Sequence, residues 1–148
     1  MRLFLFFFFI FQTSLYAQNI KIVDGDTIHI NKIKYRFHGI DAPEIKQKCQ
    51  IDRKNINCGI LAREVLVNKI NNQKVTCKKI AIDRYKRIIA ECFVNNESLS
   101  RFLVRNGYAF AYRRYSKKFV EDEDYAKSNR LGLWKMNFIY PWKYRRLK

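Results

Sequence analysis

Acidic side chains are scarce in this chain of 148 residues, which has 13 Asp and Glu residues against 30 Lys and Arg. The formal net charge is +17 at pH 7, whereas a small soluble domain needs a charge of only about 2 to 8. A field of this sign and size attracts nucleic acids or anionic membranes. No long segment has one apolar and one Lys-rich face, so the composition does not favour a membrane-active cationic helix.

The chain also lacks a hydrophobic run long enough to span a membrane. Its N-terminal segment has one cation at Arg2, an apolar run from Leu3 to Phe11 and a small residue at Ala17. Such a run is too short for a spanning helix, which needs about 20 residues. This layout predicts a secretory signal peptide over residues 1–17, with an uncleaved anchor as the alternative. Residues 18–148 are then expected to form one secreted or periplasmic domain with a short basic C-terminal tail.

Cysteine pairs of the zinc-binding form C-x-x-C are absent, although the chain contains four cysteines. An even number in an exported protein favours two disulfides, with zinc as the alternative. Cys77 and Cys92 lie equally far from the centre of a predicted turn at residues 83–86, so they oppose each other in a hairpin. Directly opposed residues are close enough for a disulfide after small adjustment. We therefore predict the disulfides Cys77–Cys92 and, from the two cysteines that remain, Cys49–Cys58.

Alternating apolar and polar residues predict a series of short strands interrupted by helices. Asp24-Gly25 provides a turn between the first two strands, Pro43 follows the third, and the polar segment 44–57 is predicted to be an irregular loop. Five strands and three helices in this order predict an α+β protein with an OB-fold, a five-stranded β-barrel that commonly binds oligonucleotides. The predicted strands are Ile20–Val23, Thr27–Ile30, Lys32–Ile40, Lys74–Ile82 and Arg87–Val94, and the predicted helices are Ile60–Ile70, a short one that includes Leu99 and Leu103, and one from about Phe119 to Arg130.

The few acidic residues near the N-terminus cluster at the two ends of one strand. Asp26 follows a Gly turn and Asp41 precedes a Pro, so their carboxylates can converge at one end of a barrel. Oxygen ligands of this kind suit Ca²⁺ or Mg²⁺. Glu44 has no part in a turn, which favours a site over the alternative of a plain turn and a strand-end acid. His29 and His38 have no metal-ligand spacing, so a histidine mechanism is not indicated.

Cations and aromatic residues suited to a phosphate chain lie elsewhere in the sequence. The guanidinium groups of Arg36 and Arg87 can bind phosphate oxygens bidentately and stabilise charge on a phosphoryl group under attack. Tyr85, Tyr112 and Tyr115 are interleaved with Lys and Arg residues, an arrangement suited to base stacking while cations hold the backbone. The alternatives are solvated strand residues for the arginines and core filling for the tyrosines.

Several short motifs occur together between residues 20 and 134, namely Val23–Thr27 (VDGDT), Arg36, Asp41–Glu44 (DAPE), Asp83–Arg87 (DRYKR), Leu103–Ala109 (LVRNGYA) and Leu131–Trp134 (LGLW). Together they resemble the thermonuclease, or staphylococcal nuclease-like, family, in its secreted bacterial branch. The resemblance implies an OB-fold barrel with three helices. It also implies a Ca²⁺-dependent phosphodiesterase that cleaves DNA and RNA on the 5′-oxygen side and leaves a 3′-phosphate.

The same resemblance implies roles for individual residues. It assigns metal binding to the carboxylates of Asp26 and Asp41 and to the backbone carbonyl of Ala42. The catalytic residues that it implies are Arg36, Glu44 and Arg87. Two positions depart from the family pattern: Ala42 stands where the best-known member has Thr, and Lys86 replaces the Gly of the usual Tyr-Gly-Arg.

Strand geometry adds one constraint to this site. Arg36 and Asp41 are five positions apart, so strict alternation would place them on opposite faces of one strand. Both must reach the same phosphate. We therefore predict that Gly39 marks a bulge, bend or strand end that resets the parity.

Two other classes of function remain open at this level. A non-catalytic OB module that binds single strands would need the basic groove and the aromatic residues, but neither Glu44 nor a metal ion. A cationic surface-binding protein would need no ordered site. The nuclease interpretation predicts DNA and RNA as partners and no stable membrane insertion after removal of the signal peptide, and the sequence indicates a monomer without a protein partner.

Overall fold

Short strands and helices alternate along the part of the chain that the computed structural model describes, residues 18–147. The predicted signal peptide at residues 1–17 lies outside the described residues. The strands are β1 (Ile20–Ile22), β2 (Thr27–Ile30), β3 (Ile33–Phe37), β4 (Ile40–Asp41), β5 (Cys49–Ile51), β6 (Lys54–Ile56), β7 (Thr76–Ile82), β8 (Ile88–Val94), β9 (Glu97–Ser98) and β10 (Phe110–Ala111). The helices are α1 (Cys58–Ile70), α2 (Leu99–Arg105), α3 (Val120–Ser128) and α4 (Pro141–Tyr144), with a 3₁₀ turn at Gly132–Lys135.

The main sheet has the order β1-β2-β3-β8-β7, and β9 pairs with β8. Strands β3 and β8 are parallel, while the other pairs are antiparallel. Within residues 18–147, β1 and β7 are the two ends of this path, so the sheet is largely open and closure into the expected five-stranded barrel is not seen.

Among the described residues, the short helix α4 adds a fourth helix to the three that were predicted. None of the helices in residues 18–147 has the length and apolar character needed to cross a bilayer.

The third predicted strand, Lys32–Ile40, is divided into β3 and β4 by a turn at His38 and Gly39. Gly39 has a φ of 74°, a left-handed conformation that glycine adopts without steric cost. The prediction that Gly39 resets the strand parity is therefore confirmed.

The segment 44–57, predicted to be an irregular loop, contains the hairpin β5–β6. Its turn residues Asp52 and Arg53 both have positive φ values, 48° and 62°, as two-residue hairpin turns of the primed type require. Such turns usually contain glycine or asparagine. The loop prediction was wrong because this turn has neither residue at its centre.

The main core lies between the sheet and helices α1 and α2. Ala62, Leu66 and Ile70 form the buried stripe of α1 at spacings of four residues. Leu66 and Ile70 join Leu99 and Leu103 of α2 in one buried cluster with side chains from the sheet. This packing fixes the sheet against the two helices and thereby positions the loops at its end.

A second, aromatic cluster orders the C-terminal segment, which was predicted to be a short basic tail. Phe110 is at its centre and contacts Trp134, Phe138, Tyr140 and Trp142 at ring-centroid distances of 4.8 to 6.3 Å. Residues 137–144 are held further by a bridge between Gln50 and Asn137 and by α4. The segment folds back on the domain because its aromatic side chains bury apolar surface.

Both disulfides expected from the sequence are present in the structure. Cys77 lies directly opposite Cys92 in the β7–β8 register, with a Cα–Cα distance of 4.0 Å. Cys49 and Cys58 join the start of β5 to the start of α1, with a Cα–Cα distance of 5.6 Å. Each therefore fixes a segment that leads into the site described next.

Candidate active site

Two buried carboxylates and one arginine form an inner cluster, defined here as Asp26, Arg36 and Asp41. Thr27 pairs with Arg36 across β2 and β3, which brings the preceding Asp26 next to the guanidinium group. The turn at Gly39 returns Asp41 to the same side. Arg36 donates from one terminal nitrogen to Asp26 Oδ1, and from the other to Asp41 Oδ1 at 2.6 Å. Both carboxylates thus face a single cation.

Close backbone contacts hold the inner cluster. The backbone N–H of Ala42 donates to Asp26 Oδ2 at 2.6 Å. Gly25 lies against this segment so closely that a Cβ atom there would be 2.8 Å from the Cβ of Ala42. Only glycine therefore lets the β1–β2 turn approach Ala42 without a shift of the backbone.

Burial determines the electrostatics of the inner cluster. The exposed fraction is 1% for Asp26 and 0% for Asp41. Burial raises the pKa of Asp26 well above its ordinary value, against the opposing charge of Arg36. Burial alone would lower the pKa of Arg36, but the charges of Asp26 and Asp41 outweigh it and raise that pKa. The pair of carboxylates therefore needs a positive charge close by.

Glu44 lies beside the inner cluster and is linked to it by an arginine that the sequence analysis missed. Arg145 donates from one terminal nitrogen to Glu44 Oε1 at 2.8 Å and to Asp41 Oδ1 at 3.1 Å, and from the other to Asp41 Oδ2 at 2.9 Å. The backbone of Glu44 is packed against Gly59, where a Cβ atom would be 1.9 Å from the Glu44 carbonyl oxygen. Arg145 follows α4, in the segment whose aromatic and basic residues alternate as PWKYRR. That alternation was the available signal.

Arg87 and Tyr85 lie on the hairpin tip, defined here as residues 83–87 between β7 and β8. Asp83 Oδ1 accepts hydrogen bonds from the backbone N–H groups of Tyr85 and Arg87, each at 2.9 Å, and Asp83 Oδ2 accepts one from Arg87 Nε at 2.8 Å. Lys86 has a φ of 61°, a conformation that costs a non-glycine residue roughly 1–2 kcal/mol. The turn thus keeps the shape that the usual glycine would allow, at some cost in strain.

Hydrogen bonding at the hairpin tip also changes the acidity of Asp83. Partial burial alone would raise the pKa of this carboxylate, but the hydrogen bonds from Arg87 and Tyr85 lower it below its ordinary value. Asp83 therefore stays ionised and holds Arg87 at neutral pH. After Arg145, Asp83 is the second residue of the site region whose role was not predicted, because the sequence indicated only that it belongs to a turn.

A cleft of about 1170 Å³ joins these groups. Asp26, Asp41 and Ala42 do not line the cleft, but the lining residue Arg36 contacts both carboxylates. Tyr112 stacks on Trp142 with ring centroids 5.4 Å apart and contacts Tyr115 at 5.0 Å. The structure therefore brings the predicted catalytic and substrate-binding side chains to one surface. The predicted residues that line the cleft are Arg36, Glu44, Tyr85, Arg87, Tyr112 and Tyr115, and the added ones include Arg114, Trp142, Arg145 and Arg146.

The side-chain donors at the inner cluster are the carboxylate oxygens that the predicted metal ion would need. Within residues 18–147 there is no group of three or more His, Cys, Asp and Glu side chains arranged to hold a metal. Two buried carboxylates do converge on one cationic position, the backbone N–H of Ala42 binds one of them, and Arg145 links Glu44 to the other. Carboxylate and carbonyl oxygens are the ligands that Ca²⁺ and Mg²⁺ accept. The chemistry of the donors therefore fits a hard divalent cation.

Comparison with known proteins identifies the family. The family model described as staphylococcal nuclease homologue matches residues 34–136. Similar proteins include ParB of Escherichia coli, 30% identical over 90% of this chain and 80% of that protein, and an uncharacterized endonuclease of Haemophilus influenzae, 30% identical over 86% and 71%. A probable staphylococcal-like nuclease of Oryza sativa, CAN3, is 30% identical over 90% of this chain, which spans only 34% of that protein.

The chain belongs to the staphylococcal nuclease homologue family. Its fold is accordingly an α+β OB-fold, with a largely open sheet and four α-helices within residues 18–147. Membership of this family supports nuclease activity and a nucleic-acid substrate.

Proposed function

We propose that this protein is a secreted or periplasmic, Ca²⁺-dependent nuclease that hydrolyses phosphodiester bonds of DNA and RNA. The observation that carries the proposal is the convergence of Asp26, Asp41 and Glu44 on two guanidinium groups at the wall of a basic cleft. A protein that only binds nucleic acid has no need for buried carboxylates at its binding surface, since they repel phosphate. A hydrolase needs them for a cation and a general base.

Asp26, Asp41 and the carbonyl of Ala42 would hold the ion, and Ca²⁺ bound there would act as a Lewis acid toward the scissile phosphate. Glu44 lies at the cleft with 34% of its side chain exposed, so its carboxylate can orient a water molecule and accept its proton. Arg36 and Arg87 would stabilise the charge that builds on the phosphoryl oxygens. The planar fork of each guanidinium suits two phosphate oxygens at once.

Aromatic side chains in the same cleft suit bases that are not stacked in a duplex. Tyr85 is 61% exposed at the hairpin tip, and Tyr115 is also exposed. Tyr112 presents the surface of a stack that continues through Trp142 to Tyr140. Base stacking on such side chains is tolerant of sequence. This supports cleavage of both DNA and RNA, and cleavage on the 5′-oxygen side with a 3′-phosphate product is proposed by family resemblance.

The two disulfides support the proposed export, because disulfides persist in oxidising compartments. The signal peptide at residues 1–17, cleavage after Ala17 and a monomeric mature chain are part of the same proposal.

A non-catalytic OB module that binds single strands is the second candidate function. The open basic cleft with its exposed tyrosines favours it, but the carboxylates do not contribute to it. Under this alternative the protein retains nucleic acid without cleaving it.

One experiment separates the two candidates. The purified mature chain is incubated with plasmid DNA and with RNA, in parallel with Ca²⁺ and with a chelator. The nuclease proposal predicts degradation of both polymers with Ca²⁺ and none with the chelator. Retarded but intact DNA and RNA in both conditions would contradict it and support the binding module.

A further inference from the structure

We propose that Arg145 is a displaceable guanidinium that competes with the metal ion for Asp41, pairs with the proposed base Glu44 at the same time, and so sets the metal concentration at which the site is filled. The inference rests on the proposed metal-dependent function. Its starting point is that both oxygens of Asp41 are already bound by arginine: Oδ1 by Arg36 and Arg145, and Oδ2 by Arg145. These three hydrogen bonds use three of the roughly four acceptor sites of the carboxylate. Arg145 lines the cleft and Asp41 does not, so a cation that approaches Asp41 from the cleft meets the guanidinium of Arg145 first.

The two arginines differ in their freedom to leave. Arg36 lies on β3 with 17% of its side chain exposed, and it also pairs with Asp26. Arg145 has 39% of its side chain exposed and reaches Asp41 and Glu44 from the cleft side. When Arg145 leaves, Asp41 keeps its contact with Arg36, and water can solvate the exposed guanidinium of Arg145, which limits the cost of the exchange. Arg145 is therefore the ligand that exchanges.

The backbone that carries Arg145 is fixed, so the exchange is a side-chain movement. Pro141 starts α4 and is buried. Trp142 stacks on Tyr140 at 4.5 Å and on Tyr112 at 5.4 Å. These contacts hold Arg145 opposite the carboxylates but do not involve its guanidinium group. The aromatic cluster therefore keeps Arg145 next to Asp41 and Glu44, where it competes with the metal ion.

The charges of the site indicate that the metal ion and the guanidinium of Arg145 do not bind there at the same time. Asp26, Asp41 and Glu44 carry three negative charges when all are ionised, and Arg36 and Arg145 neutralise two of them. A divalent cation in the place of Arg145, beside Arg36, would neutralise all three. An arginine guanidinium stays protonated in proteins, so Arg145 cannot leave the carboxylates by losing its proton. Metal binding must displace it as a cation, and the apparent metal affinity is reduced accordingly.

The experiment measures Ca²⁺ binding by isothermal titration calorimetry of the full mature chain, with CaCl₂ alone and no nucleic acid. Arg145→Met removes the competitor. Arg146→Met is the matched control, because it removes the same charge one residue further along on an exposed side chain. Arg145→Lys keeps the charge but loses the planar fork that contacts both carboxylates.

We expect Arg145→Met to bind Ca²⁺ about threefold to tenfold more tightly than Arg146→Met, the range that corresponds to one partly exposed charge pair with good geometry. Arg145→Lys should lie between wild type and Arg145→Met, and it keeps the test valid if Arg145→Met does not fold. Equal affinities for Arg145→Met and Arg146→Met, or weaker binding by Arg145→Met, would overturn the inference.

The same samples distinguish this inference from the proposed function. If all variants bind Ca²⁺ with one affinity and the wild type degrades DNA only with Ca²⁺, the competition is refuted while the nuclease proposal stands. If no variant binds Ca²⁺ and DNA is degraded in chelator, the metal-dependent function is refuted, and the competition with it.

Discussion

The inner cluster and the hairpin tip carry the two arginines proposed for catalysis, but they are held in different ways. At the inner cluster, Arg36 pairs with two carboxylates that are almost completely buried. At the hairpin tip, Arg87 pairs with Asp83, and both side chains are partly exposed to solvent. Burial and the register of strands β2 and β3 fix the first arginine, whereas hydrogen bonds within five consecutive residues fix the second.

Because the two ion pairs differ in burial, their loss should affect stability differently even if both are needed for activity. Removing one partner of a buried ion pair leaves an uncompensated charge in the interior, which strongly destabilises a protein. An exposed pair contributes little to stability because solvent already screens it. Substitutions in the inner cluster should therefore lower both stability and activity, whereas substitutions at the hairpin tip should lower activity alone.

The largest expected effect is that of Arg36→Ala, which leaves Asp26 and Asp41 buried without their shared partner. We expect the free energy of unfolding to fall by about 3–5 kcal/mol. Arg87→Ala at the hairpin tip should change it by no more than about 1 kcal/mol. Both variants should lose nuclease activity. Urea unfolding followed by tryptophan fluorescence measures the difference, and equal losses of stability would break the comparison.

Removal of the disulfide behind the hairpin tip should have the next largest effect. The double variant Cys77→Ala/Cys92→Ala opens a loop with a sequence separation of 15 residues, and a loop of this length is worth about 3 kcal/mol on the chain-entropy model. Because β7 and β8 present Arg87, activity should fall as well. The control is Cys49→Ala/Cys58→Ala, which opens a shorter loop. If the first variant kept full thermal stability and activity, the hairpin would not depend on its disulfide.

The smallest effect on stability is expected for Asp83→Asn. This change keeps an acceptor for the backbone N–H groups but loses the charged partner of Arg87 Nε, so the free energy of unfolding should fall by less than about 1 kcal/mol. Turnover should fall by about tenfold to a hundredfold, since small misplacements of a catalytic group are costly. Steady-state kinetics with DNA tests this, and unchanged turnover would show that Arg87 does not need Asp83.

The same variant has a pH signature whose sign follows from the lowered pKa of Asp83. A carboxylate with a lowered pKa in the folded state stabilises that state above its ordinary pKa of 3.8. The contribution is lost as the pH falls below that value. The small stability difference between wild type and Asp83→Asn should therefore be present at neutral pH and vanish in acid.

The inner cluster could be predicted from the sequence because its three members lie within 16 residues of one another and the strand parity is readable. The Asp-Gly turn, the alternation in β3 and the glycine at position 39 together fix the geometry locally. The Cys77–Cys92 pair was also predictable from spacing. A bulge between Lys79 and Ala81 shifts the register nearer the turn, and nothing in the sequence indicated it.

The contact of Arg145 with Asp41 could not be predicted, because the two residues are 104 positions apart in the sequence. The placement of Arg145 depends on an aromatic cluster assembled from β10, the 3₁₀ turn and α4. The aromatic residues of the C-terminal segment do alternate from Phe138 to Tyr144, but this alternation does not indicate which part of the domain they pack against. The resulting contact is tertiary, and the local pattern indicated only a basic tail.

Glu44→Gln tests the central claim most directly, since it removes only the proposed general base and keeps the size of the side chain. Turnover of DNA at saturating Ca²⁺ should fall at least about a hundredfold, the usual worth of a positioned base, while DNA binding stays nearly unchanged. Glu64→Gln, at an exposed position of α1, is the control and should keep wild-type turnover. Near-normal turnover of Glu44→Gln would contradict the assignment of Glu44 and the mechanism built on it.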